Sequence, residues 1–211
     1  LTGSFPEAVL NISVLTGLSL AFNDLRGEVA SDLGNSLPNL ELFELDGNSF
    51  HGKIPPSITN ASNLYLIEVS NNNFTEGLPS SIGKLSKLSW LNLERNKFHG
   101  RNEEDWEFLN SLSNCTELQM FSVAWNRLEG QVPKSFGNYS IQLQYVHMGQ
   151  NRLSGGFPSG LENLPNLIVV ELSGNQLTGV LPDWIGALKS LQKLTVRDNI
   201  FTGFIPSSLS N

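Results

Sequence analysis

Apolar and polar residues alternate in short bursts along this chain, and the bursts recur at a fixed interval. In Leu167-Ile-Val-Val-Glu-Leu-Ser-Gly-Asn-Gln-Leu-Thr-Gly-Val-Leu-Pro182 the frame is L-x-x-Φ-x-Φ-x-x-N-x-L-x-G-x-Φ-P, where Φ is apolar. The next unit, Leu191 to Pro206, repeats it position by position. The frame asparagines are Asn23, Asn48, Asn72, Asn96, Asn126, Asn151, Asn175 and Asn199, with gaps of 25, 24, 24, 30, 25, 24 and 24 residues. A period of this size marks a solenoid, in which each unit buries its apolar face only by stacking on its neighbours. The asparagines number the coils one to eight, after a leading piece, Leu1-Thr-Gly-Ser-Phe-Pro6, that matches the tail of a unit. The chain is thus expected to be one α/β solenoid over 1–211, an internal fragment without a cap at either end.

Each Φ-x-Φ core, from Leu18/Leu20 and Phe43/Leu45 to Val170/Leu172 and Leu194/Val196, alternates in and out as a short strand does. Stacked in register, the strands make a parallel sheet that advances about 4.8 Å per coil. The asparagine then falls where the chain leaves the sheet. Its carboxamide both donates and accepts, so it can satisfy backbone groups of its own turn and of the neighbouring one. Glycine at Gly27, Gly52, Gly100, Gly130, Gly155, Gly179 and Gly203 points to tight geometry or close approach of coils. The Φ-P pair ends the segment, because proline cannot donate to a continuing ladder. Ala30 replaces the first of these prolines, Glu76 takes one glycine place, and the unit beginning at Leu88 lacks the pair.

That unit carries an insertion at 101–115, Arg101-Asn-Glu-Glu-Asp-Trp-Glu-Phe-Leu-Asn-Ser-Leu-Ser-Asn-Cys115. Asn102 fits an N-cap, with Glu103, Glu104 and Asp105 in a first helical turn favoured by the dipole. Trp106, Phe108, Leu109 and Leu112 would then face the solenoid. A short convex-side helix with a packing role is expected.

The frame resembles the plant-specific class of leucine-rich repeats over essentially the whole chain. The insertion Asp105-Trp-Glu-Phe-Leu-Asn-Ser-Leu-Ser-Asn-Cys115 is similar to the longer repeat of plant receptor kinases of subfamily XII. That group includes the rice bacterial-blight resistance receptor and the receptors for bacterial flagellin and elongation factor Tu. The resemblance implies a right-handed superhelix with a parallel concave sheet and short 3-10 or helical convex turns. It also implies a place on the outer side of the plasma membrane. A membrane span and a kinase would lie outside this chain, and a co-receptor kinase ectodomain would be a further partner.

Composition narrows the chemistry. With 13 Lys and Arg against 20 Asp and Glu, the net charge of −7 is unsuited to a phosphate backbone, so no nucleic acid is expected. No apolar run reaches 18 residues. The lone Cys115 falls three residues before Leu118, where a small buried residue fits better than a nucleophile. HExxH, CxxC, G-x-S-x-G and phosphate-loop motifs are absent, and His51, His99 and His147 make no metal pattern. No enzyme, cofactor or metal is expected.

Binding is expected on the open face of the sheet. The residue before the first Φ runs Gly17, Leu42, Leu66, Trp90, Met120, Tyr145, Val169, Lys193, an apolar stripe. Between the two Φ positions come Ser19, Glu44, Glu68, Asn92, Ser122, His147, Glu171, Thr195. After the second Φ come Ala21, Asp46, Ser70, Glu94, Ala124, Gly149, Ser173 and Arg197, then Phe22, Gly47, Asn71, Arg95, Trp125, Gln150, Gly174 and Asp198. Leu66, Glu68, Trp90, Glu94, Met120, Trp125, Tyr145 and His147 are the candidate contact residues. The aromatics suit an interface anchor, or they pack on one another within the row. Glu44, Asp46, Glu68 and Glu94 either attract a basic partner or form a solvated face.

Sequons occur at Asn11, Asn60, Asn73, Asn114 and Asn138, where roughly four would arise by chance in so Asn- and Ser-rich a chain. Their phase is more informative. Four fall on the convex-side turn, Asn73 follows a frame asparagine, and none falls in the open-face rows. Eight strands span roughly 35–40 Å, room for about ten to twelve residues of extended peptide at ~3.3 Å each. The leading expectation is the ligand-sensing part of a plant immune receptor kinase, binding a peptide or protein, preferably basic. The alternatives are a secreted or kinase-less repeat protein that inhibits a microbial enzyme, and a spacer without its own ligand.

Overall fold

The computed structural model describes residues 1–100 and 105–210. Its main element is an eight-stranded parallel sheet in coil order, from Gly17–Ser19 and Leu42–Glu44 to Val169–Glu171 and Lys193–Thr195. Register is kept throughout, so that Leu18, Phe43, Ile67, Leu91, Phe121, Val146, Val170 and Leu194 form one row. From coil two to coil seven, this row and the second Φ of each core are buried. Most convex turns are 3-10 segments, such as Pro56–Asn60 and Asp183–Ala187, and the frame proline or its successor begins them. Where Ala30 replaces proline, the turn is instead a short α-helix, Leu33–Ser36.

The frame asparagines do what their chemistry suggested, with the same geometry in coil after coil. In Asn72, Nδ2 donates to the Leu45, Val69 and Ser70 carbonyls and Oδ1 accepts the Phe50 N–H at 2.9 Å. Asn96, Asn126 and Asn151 repeat these bonds one coil further on each time. The result is a continuous polar thread in an apolar core, with each carboxamide bonding to two coils.

One feature of the fold leaves no mark in the apolar pattern. The L-x-G segment after each asparagine pairs with its neighbours, giving flank sheets of four strands (Thr2–Gly3 to Asn73–Phe74) and five strands (His99–Gly100 to Ile200–Phe201). The break between them falls where Glu76 stands in the glycine place. Gly52, Gly130, Gly155 and Gly179 there hold φ between +79° and +92°, a region that a side chain disfavours.

The insertion forms a helix, Glu107–Ser111, continued by a 3-10 turn, Leu112–Asn114. Trp106, Phe108, Leu109 and Leu112 are buried, as expected. The helix starts later than the sequence suggested. Trp106 is its N-cap and Asp105 precedes it, while the proposed cap Asn102 and Glu103 and Glu104 lie outside the described residues. Packing accounts for the difference: the Trp106 ring lies over Gly100 and Gly130, and Tyr139 Oη donates to the Leu109 carbonyl at 2.7 Å. Cys115 is fully buried, and burial pushes its thiol up to about 12, which suits an inert core residue.

Candidate ligand-binding face

The concave sheet places Leu66, Trp90, Met120 and Tyr145 side by side on successive strands. Trp90 is 39% exposed, and Leu66 and Tyr145 are half-buried. Met120 is less open than its place in the row suggests. It is only 7% exposed because it stands between two larger aromatic neighbours, Trp90 and Tyr145, that cover it. Here the row packs on itself, with Met120 between the two rings.

Trp125 lies at the edge of this face, 48% exposed, and its backbone holds φ +56°. The Arg95 guanidinium lies 4.8 Å from its ring centroid, while Arg95 Nε reaches Glu94 Oε1 at 3.3 Å. Glu94, Arg95 and Trp125 thus form a layered set across coils four and five. The position before each frame asparagine is left-handed throughout: Phe22, Gly47, Asn71, Arg95, Trp125, Gln150, Gly174 and Asp198 all have positive φ. These residues form the fourth row of the frame, and most of their side chains give no sign of the backbone state. Gly47, Gly174 and Asn71, residue types that tolerate this region, were the available signal.

The acidic residues are partly engaged by the fold. Glu68 accepts the Ser70 N–H at 3.1 Å and the Asn92 Nδ2 at 2.9 Å, and burial still raises its carboxyl above the usual range. Asp46 is only 9% exposed, and burial, with Glu44 beside it, raises its carboxyl too. Glu171 binds the Gly149 and Ser173 N–H groups, both at 3.0 Å.

Ser122, His147 and Glu171 occupy one row on three successive strands, an order that invites comparison with a nucleophilic triad. The geometry gives it no such use. Ser122 is fully buried, so no substrate reaches its Oγ, and Glu171 is occupied with backbone donors. His147 is half-buried and held below the usual imidazole range, by burial first and Lys193 last, with Glu171 and Glu94 opposing. No group of three His, Cys, Asp or Glu among the described residues is placed to hold a metal ion.

On the other side, Asn11, Asn60, Asn114 and Asn138 are each the last residue of a convex 3-10 segment, and all four are exposed. Asn73 is half-buried in a flank strand beside His51. No helix among the described residues is long and apolar enough to cross a membrane.

Comparison with known proteins agrees with this architecture. Residues 39–61 and 63–85 match one leucine-rich-repeat family model, and residues 141–201 match a second. The receptor kinase-like protein Xa21 of Oryza sativa subsp. japonica is 37% identical over 70 residues, 33% of this chain and 7% of that protein. The LRR receptor-like serine/threonine-protein kinase EFR of Arabidopsis thaliana is 41% identical over 61 residues, 29% of this chain and 6% of that protein. Among solved structures, the Arabidopsis receptor kinase HAESA, in complex with the peptide hormone IDA and the co-receptor SERK1, superposes with a TM-score of 0.89. It is 31% identical, over 99% of this chain and 34% of that one, so this chain spans about a third of that receptor chain. The chain is a leucine-rich-repeat solenoid, a non-catalytic fold, similar in sequence and backbone to the ectodomain repeats of plant receptor kinases.

Proposed function

We propose that these coils are the ligand-sensing extracellular segment of a plant cell-surface immune receptor kinase of subfamily XII, and that a peptide or protein ligand lies along the concave strands. The single observation that carries this is the open Trp90, flanked in register by Leu66 and by the Met120–Tyr145 pair, on a face free of sequons. Large, partly exposed apolar side chains on a concave surface are what an interface anchor requires. Similarity to two receptor kinases and to a receptor solved with a peptide and a co-receptor supports a receptor over a secreted inhibitor. By the same likeness, a co-receptor ectodomain is a second partner.

The test is a screen of microbial peptides against the complete ectodomain, followed by substitution at the anchor. Trp90→Ala and Tyr145→Ala are expected to weaken the selected peptide by about 2 kcal/mol or more each, the scale of an interface anchor, while thermal unfolding stays cooperative. Wild-type affinity in both folded variants would remove the anchor.

The second surface carries a separate expectation. Asn11, Asn60, Asn114 and Asn138 are glycosylated in the secreted protein, and Asn73 is the least occupied, since it is half-buried within a strand. Intact-mass measurement of protein secreted from insect or plant cells should show several glycans. A mass equal to the bare polypeptide would refute it.

A further inference from the structure

The Glu94–Arg95–Trp125 set on coils four and five has an incomplete counterpart on coils one to three, with its aromatic on the preceding instead of the following coil. Phe22, like Trp125, is an aromatic side chain on a left-handed backbone, with φ +53°, and it is 80% exposed. A bulky residue in that region is strained, and nothing in the core requires its ring. The ring leans across Gly47, where an added Cβ would meet Phe22 Cδ1 at 2.8 Å. Gly47 occupies the position that Arg95 fills two coils later, and glycine supplies no cation.

Carboxylates are nevertheless present. Asp46 directly precedes Gly47 and is 9% exposed; its carboxyl accepts its own backbone N–H, and no other side chain among the described residues donates to it. Glu44 and Glu68 are register partners on adjacent strands, two like charges side by side. Burial without a counter-ion raises the Asp46 carboxyl, and its charge in turn raises Glu68. A metal ion does not answer this need, because no three such groups among the described residues converge on one point. A guanidinium does. It is planar, stacks on an aromatic face and forks between two acceptor oxygens.

We propose that coils one to three form an arginine-recognition site. The guanidinium of a ligand arginine stacks on Phe22 and donates to Asp46 and Glu44, completing from outside the set that Arg95 completes from within at Glu94 and Trp125. The inference rests on the concave-face reading above and names the chemistry of its ligand, a peptide that pairs an arginine with an apolar anchor. The apolar side chain lies over Leu66 and Trp90. From midway between coils one and two, where the guanidinium lies, to coil four is roughly 12 Å at ~4.8 Å per coil, or about three to four residues of extended chain at ~3.3 Å each.

The probe is a random twelve-residue phage-displayed library, selected in parallel on the secreted protein and on its Glu44→Gln/Asp46→Asn double variant. On the unaltered protein, selected peptides should pair arginine with an aromatic or aliphatic residue three to four positions away. Synthetic versions should lose at least tenfold in affinity on arginine-to-lysine replacement, on Phe22→Ala and on the double variant. Their affinity should also fall as the pH drops through the carboxylate range, starting above the usual Asp value. Selection on the double variant should keep the aromatic preference and lose arginine. The double variant should melt no lower than the unaltered protein, because it removes unpaired like charges.

Peptides without arginine that bind the double variant as well as the unaltered protein, yet fail on Trp90→Ala, would overturn the arginine site and leave the concave face standing. Peptides indifferent to all of these substitutions, or no enrichment at all, would overturn both.

Discussion

Asn126→Asp should lower the stability of the solenoid by about 3–5 kcal/mol at neutral pH, the scale of a buried charge without a partner. The wild-type Nδ2 donates to the carbonyls of Leu93 at 2.9 Å and of Val123 and Ala124 at 3.1 Å each. An aspartate puts a carboxylate oxygen there, against three carbonyl oxygens, in a residue that is 9% exposed. The carbonyls themselves keep other donors: Asn96 Nδ2 on Leu93, Asn151 Nδ2 on Val123 and the Arg95 N–H on Ala124. Repulsion and desolvation therefore cause the loss, more than missing bonds. That distinguishes the substitution from Asn126→Ala, which chiefly strands the Phe98 N–H and should cost about 1–3 kcal/mol.

The pH dependence separates the two. Burial raises the folded-state pKa of the new aspartate above its unfolded value near 3.9. Its penalty is then absent below the unfolded value and grows as pH rises through the folded one. Denaturant unfolding of wild type and the aspartate variant should therefore converge at acid pH and diverge towards neutrality, whereas the alanine variant keeps a constant gap. Equal gaps at all pH values would show that the carboxylate escapes to solvent and that the polar thread is not closed at coil five.

Much of this architecture can be read from the residues because the frame repeats. A two-residue alternation is weak in one strand, but eight copies at matched phase fix both the strands and the row that faces inward. The asparagines were informative for the same reason, since a donor and acceptor in one small side chain is needed wherever two coils must be joined inside an apolar core. The flank sheets were less visible. Each of their strands has two to five residues with at most one buried apolar side chain, too short for an alternation to register.

On the concave face, the rows are legible in the sequence, but exposure depends on neighbours from other coils. Met120 and Trp90 hold equivalent places in the frame, and only the size of what stands on either side makes one buried and the other open. Asp46 is not legible as a buried group for a related reason. Its burial comes from the coils around it, and nothing in Leu45-Asp46-Gly47 announces it.

Phe74→Ala should cost about 3–5 kcal/mol, the usual loss when a buried phenylalanine is cut to alanine. Phe50, Phe74 and Phe98 fill the apolar place after the frame asparagine in three successive coils, all but completely buried. Phe74 is the middle ring, stacked on Phe50 at 6.5 Å and on Phe98 at 6.2 Å between centroids, with interplanar angles of 15° and 10°. Removing it takes away the ring's own burial and both stacked contacts. The neighbours are held by their own backbone bonds, as Asn72 fixes the Phe50 N–H and Asn126 the Phe98 N–H. They have little freedom to collapse into the space, and a cavity that cannot close is the costly kind.

The damage should also stay local at first. Contacts in a repeat array reach only the adjacent coils, so opening should begin at coils two to four. Amide exchange would show this directly: the Phe50, Phe74 and Phe98 N–H groups should exchange faster by orders of magnitude, while the Leu153 and Leu177 N–H groups, bonded to Asn175 and Asn199, change little. A uniform rise in exchange along the whole chain would mean that the solenoid melts as one body, and the coil-by-coil account of its stability would fail.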